Sequence, residues 1–188
     1  MLPTLVPIDA TTLARRRDAI ASVYGAAFGV DRQDSEQFLT NALDRHIDYP
    51  GFRGLVAEDP DGVMLGFDYG YLSVTGQWWH ELIRPVLTAA SRSDWLEDAF
   101  EFVELAVHPD FQGRGIGSRL HDALLIDAPG SKALLSTLPG ATPASHLYRS
   151  RGWGPLVTDF RYFPGGEDVL LMGLDLVTFA ASRSFSRD

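Results

Sequence analysis

The chain has 188 residues, 45% of them hydrophobic, enough for one sizeable core and a single domain spanning 1–188. It has no cysteine, which excludes disulfides, thiolate metal sites and an acyl-cysteine intermediate. Its formal net charge of −9 argues against nucleic acid as a partner and favours cationic small molecules.

Thr4–Ile8 reads as a short edge strand, because prolines at positions 3 and 7 cannot donate to a ladder. Asp9 or Thr11 can cap the helix that follows, whose Leu13, Ile20, Val23 and Tyr24 share a face with Arg17. A second helix is expected from Ser35 to about Ile47, with Phe38, Leu39, Ala42, Leu43 and His46 on one side. Gly51–Glu58 and Val63–Thr75 predict a hairpin across Asp59-Pro60-Asp61-Gly62. Gly66 and Gly70 point to a bulge or a close backbone approach there, and Phe67, Tyr69 and Tyr71 share one parity and hence one face. Residues 77–98 form an insertion whose conformation the sequence does not dictate, and Trp78, Trp79 and Trp95 could line a pocket or cover the sheet.

The most informative stretch follows. Phe100–Val107 is a strand, stopped by His108-Pro109-Asp110. Gln112-Gly113-Arg114-Gly115-Ile116-Gly117-Ser118 is a glycine-rich turn, and Ile116, Leu120, Ala123 and Leu124 then mark the apolar face of a helix that ends by Pro129-Gly130. Lys132–Thr137 is a further strand, Thr142–Arg151 a short helix ending at Gly152, and Val157–Phe163 with Asp168–Leu176 a closing hairpin. Ala180–Asp188 reads as a loose tail. No charged-then-apolar leader opens the chain and no long apolar run occurs, so no membrane association is expected and the cytoplasm is the default location.

Glycines in a strand-to-helix turn remove the Cβ atoms that would keep a ligand off the backbone, and the first N–H groups of the helix lack intrahelical partners. With the helix dipole and Arg114, the turn suits a pyrophosphate. A nucleotide-triphosphate loop is excluded because it needs Gly-Lys-Ser/Thr, and the only lysine is Lys132. A dinucleotide fingerprint is excluded because the third glycine comes one residue early and Leu134–Leu138 offers no carboxylate.

The segment Gln112-Gly113-Arg114-Gly115-Ile116-Gly117 instead resembles the Gln/Arg-x-x-Gly-x-Gly/Ala acyl-CoA loop of the GNAT superfamily of N-acetyltransferases, and Leu105-Ala106-Val107-His108-Pro109 before it is equally typical. A second match is Ala144-x-x-Leu147-Tyr148-x-x-x-Gly152-Trp153, which departs at Ala141, where many members carry an asparagine that contacts the cofactor. The resemblance implies an α/β (α+β) fold, a mixed and mostly antiparallel central sheet flanked by helices, with a strand–loop–helix acyl-CoA site. It further implies acetyl-CoA as co-substrate, bound by Leu105, Ala106, Val107 and the turn Gln112–Ser118, with backbone N–H groups near Val107 polarising the thioester carbonyl.

Acyl transfer to an amine poses two unequal proton problems. An alkylamine has a pKa of about 10.4, so keeping it neutral near neutral pH costs roughly 4 to 5 kcal/mol and a base is useful, whereas a thiol of pKa about 8.5 needs only modest help to leave. Tyr148, in the family position, is the acid candidate. Glu101 occupies the position of the catalytic glutamate in the histone-modifying branch, and Glu104, on the opposite strand face, is the alternative base if a bulge re-aims the chain. Serine nucleophiles lack support, since histidines 46, 80, 108, 121 and 146 have no Gly-x-Ser-x-Gly partner, and no metal-ligand spacing occurs. The expected function is therefore transfer of acetyl from acetyl-CoA to a primary amine on a small molecule or peptide, by direct attack in a ternary complex. An acyl-CoA-binding sensor without turnover is the alternative. Neither the acceptor nor the oligomeric state is legible, and a homodimer is allowed.

Overall fold

A computed structural model describes residues 2–184. The chain divides into two compact units, one made of residues up to Tyr71 together with Val103–Asp127, the other of Leu72–Phe102 and the residues from Ala128 on.

In the first unit, β1 (Thr4–Pro7) is the edge strand its prolines predict and pairs antiparallel with β2 (Arg53–Glu58). A tight turn joins β2 to β3 (Met64–Leu72): the Asp59 carboxylate accepts from the N–H groups of Asp61 at 3.0 Å and Val63 at 2.8 Å, and Gly62 takes φ +79°. The bulge expected near Gly66 lies at that end of the hairpin, where Ala57 faces Gly66 but Glu58 faces Met64. A Cβ on Gly66 would sit 2.7 Å from the carbonyl oxygen of Ala106, so the close backbone approach is real as well.

Helix α1 (Ala10–Phe28) starts where Asp9 accepts from the Thr12 N–H at 2.6 Å and stops at left-handed Gly29. Asp31 caps α2 (Arg32–Phe38), one turn earlier than Ser35 implied, because its carboxylate accepts from the Asp34 N–H at 2.9 Å. A π-turn over Leu39–Leu43 leads into α3 (Asp44–His46). Phe67, Tyr69 and Tyr71 all turn inward on one face of β3 and pack in a core with Leu13, Ile20 and Val23 of α1, Leu39, Leu43 and Ala106. The opposite face is covered by α5 (Ile116–Ile126), whose Ile116 and Leu120 pack with Ala57, Leu65, Leu105 and Val107. On the same β3 parity as Gly66 and Gly70, Asp68 is fully buried opposite Leu55, and among the described residues neither carboxyl oxygen reaches hydrogen-bond geometry with a partner. Loss of water pushes its pKa well above the usual carboxylate range, only partly offset by the Leu55 N–H and the Arg53 charge.

Strand β4 (Ala99–Val107) belongs to both units, Ala99–Phe102 to the second and Val103–Val107 to the first. In the second unit its start pairs parallel with β5 (Lys132–Thr137), Glu101 opposite Leu134, and β5 pairs antiparallel with β7 (Val169–Asp175), itself hydrogen bonded to β6 (Gly154–Phe160). The insertion that the sequence left open is a helix, α4 (Trp78–Ala89), and a short 3-10 turn over Ser93–Leu96. Trp79, Ile83 and Leu87, four residues apart, are the buried stripe of α4 and pack with Ala99, Leu134 and Leu171. Trp95 covers Gly173 so closely that a Cβ there would sit 2.4 Å from the indole ring. Helix α6 (Pro143–Ser150) follows β5, and residues 180–184, expected to be loose, are the end of α7 (Leu176–Ser184), while 185–188 lie outside the described residues. Seven strands, ordered β1-β2-β3-β4 in one unit and β4-β5-β7-β6 in the other, with helices packed on them, make the mixed and mostly antiparallel α/β fold that the resemblance implied. No described helix is long and apolar enough to cross a membrane.

Candidate active site

The first unit assembles the strand end, the glycine turn and the helix start. At the end of β4 the His108 N–H donates to the Leu65 carbonyl at 2.9 Å, which ties the strand end to the bulge of β3. Pro109–Phe111 make one 3-10 turn, and the Gln112 carboxamide returns to donate to the Val107 carbonyl at 2.9 Å. Gly113 and Gly115 both take the left-handed conformation, φ +72° and +79°, which a side chain resists. Gly115 is the N-cap of α5, and since no side chain caps this helix, its first N–H groups face outward beside an exposed turn. The Arg114 guanidinium lies 5.3 Å over the Phe111 ring, adding a fixed positive charge to the dipole end of the helix. Gly117 sits beside Val107 and Leu105, where an added Cβ would make ordinary contacts at 3.6 and 3.9 Å, so the helix starts close to β4. This geometry fits the pyrophosphate of an acyl-CoA: open donors, no competing cap and no intruding Cβ.

Glu104 lies on the β4 face opposite Leu105 and Val107, two residues before Ala106. It is half-buried, and loss of water around its carboxyl pushes its pKa up to about 7, with the Leu105 N–H pulling it partly back. Among the described residues it has no ion-pair partner. Tyr24 of α1 is close enough to feel its charge: burial first, then Glu104 and Asp34, push the Tyr24 phenol up to about 12.

In the second unit Glu101 is buried at 5% exposure, opposite Leu134 of β5. Tyr148 is held in α6 by packing. Its ring meets Phe102 edge-on at 6.1 Å and Trp153 at 5.9 Å. A capping box fixes the start of that helix, Thr142 accepting from the Ser145 N–H and Ser145 from the Thr142 N–H, both at 3.0 Å, and left-handed Gly152 turns the chain into β6.

The acetyltransferase (GNAT) domain family matches this chain over residues 50–155, the span that runs from β2 to the start of β6. The chain belongs to the GNAT acetyltransferases. A GCN5-like protein acetyltransferase of Mycobacterium tuberculosis is 32% identical over 132 residues, 64% of this chain and 62% of that relative, so the match spans less than two thirds of it. The fold is shared with the ribosomal-protein-S18-alanine N-acetyltransferase of Escherichia coli, TM-score 0.64 at 19% identity over 93% of this chain and 94% of that one. It is shared as well with the spermidine N-acetyltransferase of Vibrio cholerae, in complex with CoA and spermine, TM-score 0.61 at 17% identity over 95% and 98%.

For this GNAT chain, the structure therefore gathers Leu105–Val107, Gln112–Ser118 and Glu104 in one unit and sets Glu101 and Tyr148 in the other. Sequence reasoning took Tyr24 and Phe38 only as faces of amphipathic helices. Their place beside Glu104's strand face was not signalled, because it depends on how α1 and α2 pack against β4.

Proposed function

We propose that the protein transfers an acetyl group from acetyl-CoA to a primary amine by direct attack in a ternary complex. The observation that carries this reading is the uncapped, glycine-opened N-terminus of α5 directly after a β4 strand whose Glu104 has no ion-pair partner. The pyrophosphate binds the α5 amides, and N–H groups at the end of β4 polarise the thioester carbonyl. The amine nitrogen attacks the carbonyl carbon and a C–N bond forms. Glu104 takes the ammonium proton, a task suited to a carboxylate with pKa about 7 near neutral pH. The C–S bond then breaks, and Tyr148 gives its proton to the departing thiolate and regains one from solvent. Glu104 is preferred over Glu101 because it keeps partial exposure where Glu101 is 5% exposed, and because its pKa is pushed up to about 7.

The acceptor is an amine on a small molecule or a peptide. The relative from M. tuberculosis is named as a protein acetyltransferase and the V. cholerae neighbour as a spermidine N-acetyltransferase, so both kinds are represented among similar proteins. The test is a panel of amines, small and peptidic, assayed by thiol release, with acetyl-CoA affinity measured separately by calorimetry. Turnover with at least one amine is expected. Tight acetyl-CoA binding with background release across the panel would instead favour a sensor.

A further inference from the structure

Glu104 is part of a larger surface in the first unit. Tyr24 stacks flat on Phe38 of α2, ring centroids 3.9 Å apart and planes 3° from parallel. Phe28, one turn beyond Tyr24 on α1, tilts against it at 4.8 Å and is 49% exposed. Inward, Phe38 meets buried Phe67 at 6.3 Å and Tyr69 at 6.4 Å, in the cluster that includes Ala106 of β4. Rings thus lead from solvent to the strand face that carries Glu104. Asp34 precedes Phe38 by one helical turn on α2, so it lies on the same side of that helix, and it is exposed.

The cations nearby are engaged elsewhere. Arg16 pairs with Glu58 at 2.6 Å, Arg17 with Asp44 at 2.5 Å and Arg32 with Glu36 at 2.7 Å. Among the described residues neither Glu104 nor Asp34 has a cationic partner. Stacked rings flanked by two uncompensated carboxylates favour a guest that is cationic at both ends and apolar between them, since methylenes pack on ring faces and ammonium groups are drawn to rings and carboxylates alike. The net charge of −9 steers such a guest inward.

We propose that the acceptor is a small alkylamine carrying a second positive charge, its reacting amine at Glu104, its methylenes on the Tyr24–Phe38 stack and its distal cation held by Asp34. This rests on the acetyltransferase reading and names its substrate class. Asp34 is a specificity residue here, outside the chemistry.

The experiment compares kcat/KM for n-butylamine, 1,4-diaminobutane, 1,6-diaminohexane and a lysine peptide with neutral flanks, at low and high salt. The diamines are expected to be preferred, and added salt is expected to raise their KM more than that of n-butylamine, which lacks the distal charge. Asp34→Asn should cut the preference for diamine over monoamine by about fivefold, the upper range for an exposed ion pair, with acetyl-CoA affinity unchanged. Tyr24→Leu should raise KM for diamines by about tenfold through loss of the ring face, and Tyr24→Phe, which keeps it, should not. Equal rates for mono- and diamines, a preference that survives Asp34→Asn, or turnover of the peptide alone would overturn the proposal while leaving acetyl transfer intact. Failure of every amine with acetyl-CoA still bound would instead remove the acetyltransferase reading beneath it.

Discussion

The two halves of β4 carry similar side chains into different surroundings. In Ala99–Phe102 the strand is hydrogen bonded to β5 and covered by α4 side chains, so Glu101 is 5% exposed and Phe102 serves as an edge for Tyr148. In Val103–Val107 the residues are mostly half-buried, and Glu104 keeps a carboxyl that no described residue pairs. The two glutamates are three positions apart, and strict alternation does not run through the segment between them, since Val103 and Ala106, also an odd step apart, pack in the same core. The lesson is that a carboxylate's chemistry is set less by its strand than by what packs on its face.

Five substitutions probe that contrast, and the largest effect should come from the loop beyond the second half. Gly115→Glu places a side chain at φ +79° and a negative charge at the α5 dipole end, so acetyl-CoA binding should be abolished in a protein that still folds. Retained affinity by calorimetry would remove the loop assignment. Next is the residue packed on the first half: Tyr148→Phe keeps the ring against Phe102 and Trp153 but loses the proton, and turnover should fall about 10²-fold with acetyl-CoA affinity little changed.

The glutamates themselves are separated by pH. Wild-type kcat/KM should rise as Glu104 loses its proton through about 7, and Glu104→Gln should lose that limb, being about tenfold or more impaired below it and approaching wild type as rising pH supplies neutral amine. Glu101→Gln should only scale the profile down; a lost acid limb in that variant, with Glu104→Gln keeping it, would transfer the role to Glu101.

The smallest effect concerns stability beneath the second half. Asp68 has a folded-state pKa raised above its unfolded value, so the native state holds the proton longer and stability falls as pH rises from the ordinary carboxylate pKa towards the raised one. Asp68→Asn removes that loss and should raise Tm by a few degrees near neutral pH, about 2–4 °C for each kcal/mol gained, with less gain near pH 4. An equal shift at both pH values would show that the carboxyl is not the cause.

Local physics made much of this protein legible beforehand. The strand, glycine turn and helix over Phe100–Ile126 announce themselves because β-branched runs, left-handed glycines and a four-residue apolar spacing are each decided within a few residues. The common face of Phe67, Tyr69 and Tyr71 followed from parity alone. By contrast, α4 was not legible: Pro85 argues against a helix, and the stripe Trp79, Ile83, Leu87 acquires meaning only against Ala99, Leu134 and Leu171 from distant parts of the chain. The different burial of the two glutamates, the stack of Tyr24 on Phe38, and the orphaned carboxyl of Asp68 were likewise decided by tertiary structure. Burial and electrostatic neighbourhood are sums over residues brought together from far along the chain, and no window of sequence contains them.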